Sequence, residues 1–141
     1  MDRKGSAIWK GSIREGQGMV STESGTLTNA QYSFTSRFEH GAGTNPEELL
    51  GAAHAGCFSM ALSGQLASAN LTAESIETTA TVTVEKLADG FAVTKVHLAV
   101  TAKVPGADAA TFVQLAGNAK AGCPVSKLFN ATITMDATLV A

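Results

Sequence analysis

The residues of this chain best suited to chemistry are its two cysteines. Cys57 stands in Ala53-His54-Ala55-Gly56-Cys57-Phe58-Ser59-Met60, inside a run that reads as an apolar helix. Cys123 stands in Lys120-Ala121-Gly122-Cys123-Pro124-Val125-Ser126, where a glycine ends one element and a proline opens the next. Neither belongs to a CxxC, so the spacing of thioredoxin-like and zinc-ribbon sites is missing. Only the fold can bring thiols so far apart in sequence together. If it does, an oxidised thiol gains a partner able to resolve it; if it does not, both are small hydrophobes.

The two settings differ. Cys57 falls near the middle of its helix, beyond useful reach of the N-terminal dipole, and burial alone raises a thiol pKa. To react it needs a cation from elsewhere, and the arginines are Arg3, Arg14 and Arg37. Arg37 lies between Phe34 and Phe38, and a buried arginine demands an anionic partner, which Glu47 or Glu48 can supply. Cys123 sits at the cap or first turn of a helix, where free N–H groups favour a thiolate. His54 and Cys57 are spaced i, i+3 and Cys123 can join them, but no fourth ligand is nominated, so no metal is expected. His54 reads as a packed, hydrogen-bonded histidine, and His40 and His97 as loop and strand residues.

The elements that must position these groups follow from local signals. Asn45-Pro46-Glu47-Glu48 is a helix start, with Asn as cap, Pro at the first helical position and acids in the first turn. The helix is expected to run to about Asn70, with Leu49, Leu50, Ala53, Cys57, Met60, Ala61 and Leu66 at helical spacing. Its other face carries Ala52, Ala55, Gly56, Ser59 and Ser63, small enough to let a second helix approach closely. Strands are expected over residues 7–14, 19–23, 32–38 and 76–86, and Asp89-Gly90 turns the last into a hairpin with residues 91–100. Asp108 caps a helix over 109–121, Cys123-Pro124 opens a short one, and residues 131–140 close the chain as a strand. That order predicts an α+β fold with antiparallel sheet, in a single domain over 1–141.

Composition narrows the class. Charged residues are 16%, against the roughly 25% usual for soluble domains, and hydrophobic residues reach 45%. Such a chain hides much of its surface, consistent with a large dimer interface. With net charge −2 and no basic cluster, nucleic acid is not an expected partner. No stretch approaches the roughly 20 apolar residues of a membrane helix, and no apolar core follows the polar start. The expected compartment is the cytoplasm, where a disulfide is catalytic or sensory.

Helix geometry adds an argument for a dimer. Glu47 and Cys57 are separated by roughly 15 Å along one helix axis, with faces about 80° apart. A carboxylate so placed cannot share an arginine with the thiol of its own helix. A second helix packed antiparallel about a two-fold axis brings Glu47 of one copy near Cys57 of the other, giving two composite sites.

Taken together, Asn45-Pro46-Glu47-Glu48-Leu49, Gly51-Ala52-Ala53-His54-Ala55-Gly56-Cys57-Phe58-Ser59-Met60 and Ala121-Gly122-Cys123-Pro124-Val125-Ser126 closely resemble the OsmC (osmotically inducible protein C) family of the OsmC/Ohr group. The resemblance extends to Ser21-Thr22-Glu23-Ser24-Gly25 and Asp89-Gly90-Phe91. It implies an OsmC-like fold, antiparallel sheet wrapped around long central helices in an intertwined homodimer. It implies a thiol-dependent peroxidase acting on organic hydroperoxides, and on hydrogen peroxide less well, without a cofactor. Cys57 matches the peroxidatic cysteine, Cys123 the resolving cysteine and Glu47 the acidic residue. Arg37 matches the active-site arginine of the OsmC branch, whereas the Ohr branch points to Arg14. The reductant implied is a dithiol of lipoyl type, and Phe58, Met60 and Phe129 are the expected apolar neighbours of an alkyl tail. A redox sensor, or a non-catalytic binder of hydrophobic ligands with the same fold, is the alternative.

Overall fold

A computed structural model describes residues 1–141, whose contacts divide into a first unit, Met1–Leu49, and a second, Leu50–Ala141. In the first unit β1 (Gly5–Lys10), β2 (Gln17–Thr22) and β3 (Ala30–Tyr32) form an antiparallel sheet in that order. Glycine is required at position 18: a Cβ there would lie 2.3 Å from the Tyr32 ring, which packs beside Trp9 with centroids 5.5 Å apart.

The strand expected over residues 32–38 is not formed. β3 ends at Tyr32, and Phe34–Phe38 is a short helix, α1. Ser33 is the reason: its hydroxyl accepts from the Ser36 N–H while the Ser36 hydroxyl accepts from the Ser33 N–H. That reciprocal cap commits the chain to a helical turn. Phe34 and Phe38, which share one face of a strand, are equally i, i+4 neighbours on a helix, and their rings lie 5.1 Å apart.

The long helix α2, Pro46–Ser68, starts where the sequence indicates, with the Glu48 N–H donated to Asn45 Oδ1 at 2.8 Å. Its buried stripe in the second unit is Gly51, His54, Phe58, Leu62 and Leu66, and Met60, expected on the apolar face, is 80% exposed. The i+4 row carrying the largest apolar side chains has won the core. Gly51 lets the helix approach the sheet closely, since a Cβ there would meet the Ala80 carbonyl oxygen at 3.0 Å.

The sheet of the second unit is β4 (Ser75–Leu87), β5 (Gly90–Lys103) and β6 (Thr132–Val140), in that order. β4 and β5 are the expected antiparallel hairpin, turned at Gly90 with φ of +130°. β6 departs from the all-antiparallel expectation, for it runs parallel to β5. The reason lies in its connection: α3 (Ala109–Gly122) and α4 (Pro124–Leu128) return the chain to the starting end of β5, as a parallel crossover requires. Phe58, Leu62 and Leu66 join Leu98, Phe112 and Ala116 in a fully buried core. No helix is long and apolar enough to cross a membrane.

Candidate active site

The second unit brings the two cysteines together. Cys57 is carried by the middle of α2, while Cys123 is at once the C-cap of α3 and the N-cap of α4. Its N–H closes α3 on the Ala119 carbonyl at 2.9 Å, and Pro124, which has no N–H to lose, starts α4. The Cys123 thiol lies 2.6 Å from Cys57 Sγ, closer than unbonded sulfurs ordinarily approach yet longer than the roughly 2.05 Å of a disulfide. Both are free cysteines; Cys57 is half-buried, whereas Cys123 has no exposed surface.

Burial pushes the Cys57 thiol pKa up, and the Cys123 thiol beside it pushes the same way. The Val125 N–H, in the first turn of α4, opposes them by donating to Cys57. The net shift is upward. Burial thus acts on the thiol in the direction expected from its helical setting, favouring the protonated form.

A second link joins the same two elements. His54 is fully buried and its Nε2 lies 2.7 Å from the Ser126 hydroxyl, with its ring 5.3 Å from that of Phe129. Burial holds the imidazole below its ordinary pKa, so it is neutral. Its Nδ1 is buried without a hydrogen-bond partner. The packed, hydrogen-bonded histidine expected at 54 is thus present; its partner Ser126 and the Val125 donor were not singled out in the sequence. The available signal was spacing, because His54 precedes Cys57 by three residues and Ser126 follows Cys123 by three.

The first unit holds the other expected pair. Arg37 on α1 donates from Nε and Nη2 to Glu47 at 3.0 and 2.8 Å. The guanidinium also lies over the Phe38 ring, 5.0 Å from its centroid. Glu47 is 12% exposed but Arg37 38%, so the buried arginine expected from its neighbours is half-exposed in the single chain. Arg14, the alternative, stacks on Phe34 at 4.9 Å. Beside Arg37 is a pocket of about 210 Å³ lined by Trp9, Ile13, Tyr32, Phe34 and Phe38. Of the apolar neighbours expected for a ligand tail, Phe58 is 0% exposed and packed in the core, where it cannot line an open site. Phe129 packs on His54, and no local signal gathers Trp9 and Tyr32 with Phe34 and Phe38, because these aromatics are scattered over two strands and a helix.

The model of the OsmC-like protein family matches residues 39–138. The chain is 55% identical over 134 residues to Peroxiredoxin OsmC of Escherichia coli, covering 95% of this chain and 94% of that one. The organic hydroperoxide resistance protein OhrB of Bacillus subtilis superposes with a TM-score of 0.71 at 21% identity, over 96% of this chain and 98% of its own. An organic hydroperoxide resistance protein OsmC from Legionella pneumophila gives 0.68 at 22% identity, over 98% and 97%. At those identities the two structures speak for the fold.

Proposed function

The chain belongs to the OsmC-like family, and from that membership we propose that it is a peroxidase that reduces organic hydroperoxides through Cys57 and Cys123. The observation that carries this reading is the 2.6 Å approach of the two sulfurs. The peroxiredoxin name of the Escherichia coli relative and the hydroperoxide-resistance names of the structural neighbours support it.

In the proposed cycle Arg37, oriented by Glu47, supplies the positive charge that Cys57 needs to ionise against its upward-shifted pKa. The thiolate attacks the distal peroxide oxygen, the O–O bond breaks, and the departing alkoxide takes a proton and leaves as an alcohol. Cys57 is left as a sulfenic acid. The Cys123 sulfur then attacks Cys57; an S–S bond forms, the S–O bond breaks, and water leaves. A dithiol reduces the disulfide by exchange and is itself oxidised to a disulfide, returning both cysteines as thiols. A lipoyl-type protein suits that step, and a reducing compartment such as the cytoplasm suits the cycle.

The active unit is a two-fold dimer in which the Arg37–Glu47 pair of one copy serves the cysteines of the other. Helix geometry supports this, because roughly 15 Å of axial rise separates Glu47 from Cys57 in α2. The exposed face of α2 supports it too: Ala52, Gly56, Ser63, Gly64 and Ala67 are small, and a Cβ on Gly56 or Gly64 would meet nothing within 4 Å. The aromatic pocket beside Arg37 suits an alkyl or aryl tail, which favours organic peroxides over hydrogen peroxide.

The test is single-turnover oxidation of the reduced protein by cumene hydroperoxide and by hydrogen peroxide, followed by mass analysis. The expected product is a Cys57–Cys123 disulfide with one alcohol released per site, formed faster with the organic peroxide. Recovery of unmodified thiols after exposure to either peroxide would overturn the reading.

A further inference from the structure

We propose that the buried His54–Ser126 hydrogen bond positions Cys123 against Cys57 and thereby sets how fast oxidised Cys57 is captured as a disulfide. The inference rests on the peroxidase reading above and assigns to that site two residues outside its reacting atoms.

The geometry is that of a two-rung ladder. His54 and Cys57 are spaced i, i+3 on α2, and Cys123 and Ser126 are spaced i, i+3 at the start of α4, so each pair shares one face of its element. One rung is the sulfur–sulfur contact at 2.6 Å; the other is His54 Nε2 to Ser126 Oγ at 2.7 Å. The first rung breaks its thiol contact at every turnover, when Cys57 gains an oxygen and later a covalent bond. The second is untouched by the chemistry and stays in place throughout.

α4 needs such an anchor. Its five residues are too few to hold a helix on their own, and Pro124, Lys127 and Leu128 face outward. Ser126 is 7% exposed, and His54 is the one residue to which its hydroxyl is bonded. The Phe129 ring, one residue past α4, lies on the same imidazole.

The cost of His54 also needs an explanation. A fully buried imidazole with Nδ1 unpaired is a poorer core residue than leucine, which is what α2 uses at positions 62 and 66 of the same stripe. With hydrogen on Nε2 the imidazole donates to the Ser126 hydroxyl, and with hydrogen on Nδ1 it accepts from it; in either tautomer one hydrogen bond joins the two side chains. A neutral imidazole at this depth does what leucine cannot, fixing one oxygen of α4 relative to Cys57.

The experiment follows the two steps separately in reduced protein given one equivalent of cumene hydroperoxide. Loss of the Cys57 thiolate reports the first step, and mass analysis at timed quenches, with a 1,3-dione to trap sulfenic acid, reports capture. In Ser126→Ala capture should slow about tenfold or more while the first step changes by less than about threefold. Trapped sulfenate should rise, and excess peroxide should leave more Cys57 as sulfinic acid. Ser126→Thr, which keeps the hydroxyl, and His54→Gln, which returns an amide near Nε2, should recover most of the capture rate; His54→Leu, which removes the bond from the other side and should slow capture alike, replaces Ser126→Ala as the test should that variant not fold. Capture at the wild-type rate in Ser126→Ala, or equal slowing of both steps, would overturn the proposal. A wild-type protein that forms no Cys57–Cys123 disulfide would instead overturn the peroxidase reading, and this inference with it.

Discussion

Glu47 Oε1 accepts from both Nε and Nη2 of Arg37, and Oε2 accepts from Nε at 3.2 Å, so the carboxylate meets the guanidinium along its edge. That contact uses the planar fork of arginine, which a lysine cannot reproduce. Arg37→Lys should therefore slow oxidation of Cys57 about 10- to 100-fold, and Glu47→Gln by a similar factor, measured as second-order rates with cumene hydroperoxide. Arg14→Lys should have a far smaller effect. The reverse order of the two arginines would move the site to Arg14.

The cysteines should fail differently. Cys57→Ser should abolish turnover, whereas Cys123→Ser should consume about one equivalent of peroxide per Cys57 and then stall as sulfenic acid. Peroxide consumption against protein concentration, with and without a dithiol, reads the distinction. Sustained turnover by both variants would remove the cysteine pair from the mechanism.

Phe58 neighbours the candidate nucleophile but belongs to the core, with no exposed surface. Phe58→Ala should cost about 3–5 kcal/mol of stability, by lost burial and the cavity left behind. Met60, 80% exposed in the single chain, should cost less than about 0.5 kcal/mol when changed to Ala in a monomer. Urea unfolding of the two variants tests the assignment of the α2 faces.

Burial holds His54 below its ordinary value near 6.5. As pH falls through about 6.5, unfolded chains take up a proton at this residue that folded chains refuse, so stability is lost on the acid side until the lowered native pKa is reached. Above about 6.5 the residue is neutral in both states and contributes no slope. In His54→Gln this part of the acid-side loss should be missing. Urea midpoints for both proteins between about pH 5 and 8 isolate it, since the other titrating groups are shared.

Gly56 lies on the exposed small-residue face of α2, with open space where a side chain would start. Gly56→Leu should leave the single chain folded and block approach of a second α2. The expected result is a monomer by light scattering whose oxidation rate falls at least tenfold; an active dimer would remove this face from the proposed interface.

The sequence carried the helices well because their punctuation is local. Asn45 and Pro46 mark the start of α2, the Asp108 carboxylate accepts from the Thr111 N–H at the start of α3, and Cys123-Pro124 divides α3 from α4. The turn from Ser33 departs from the expected strand because Phe34 and Phe38 suit two periodicities, and two serine hydroxyls decide between them. The parallel placement of β6 depends on a crossover through two helices, which no local signal specifies. Residue type and local setting single out Cys57, Cys123 and Arg37, whereas the pairing of the cysteines and the choice of Glu47 over Glu48 rest on the family resemblance. Ser126 was not legible, because a serine acquires meaning only from the buried partner that the fold brings to it, here 72 positions away.

The unequal exposure of the two sulfurs gives the proposed disulfide a polarity. Cys123 is wholly enclosed while Cys57 is half-buried, so an incoming reductant in the single chain reaches the bond from one end. Attack at Cys57 makes Cys123 the leaving group, and the covalent adduct with the reductant forms on the same sulfur that met the peroxide. One doorway then serves both oxidant and reductant, so substrate at high concentration competes with regeneration for entry as well as for electrons.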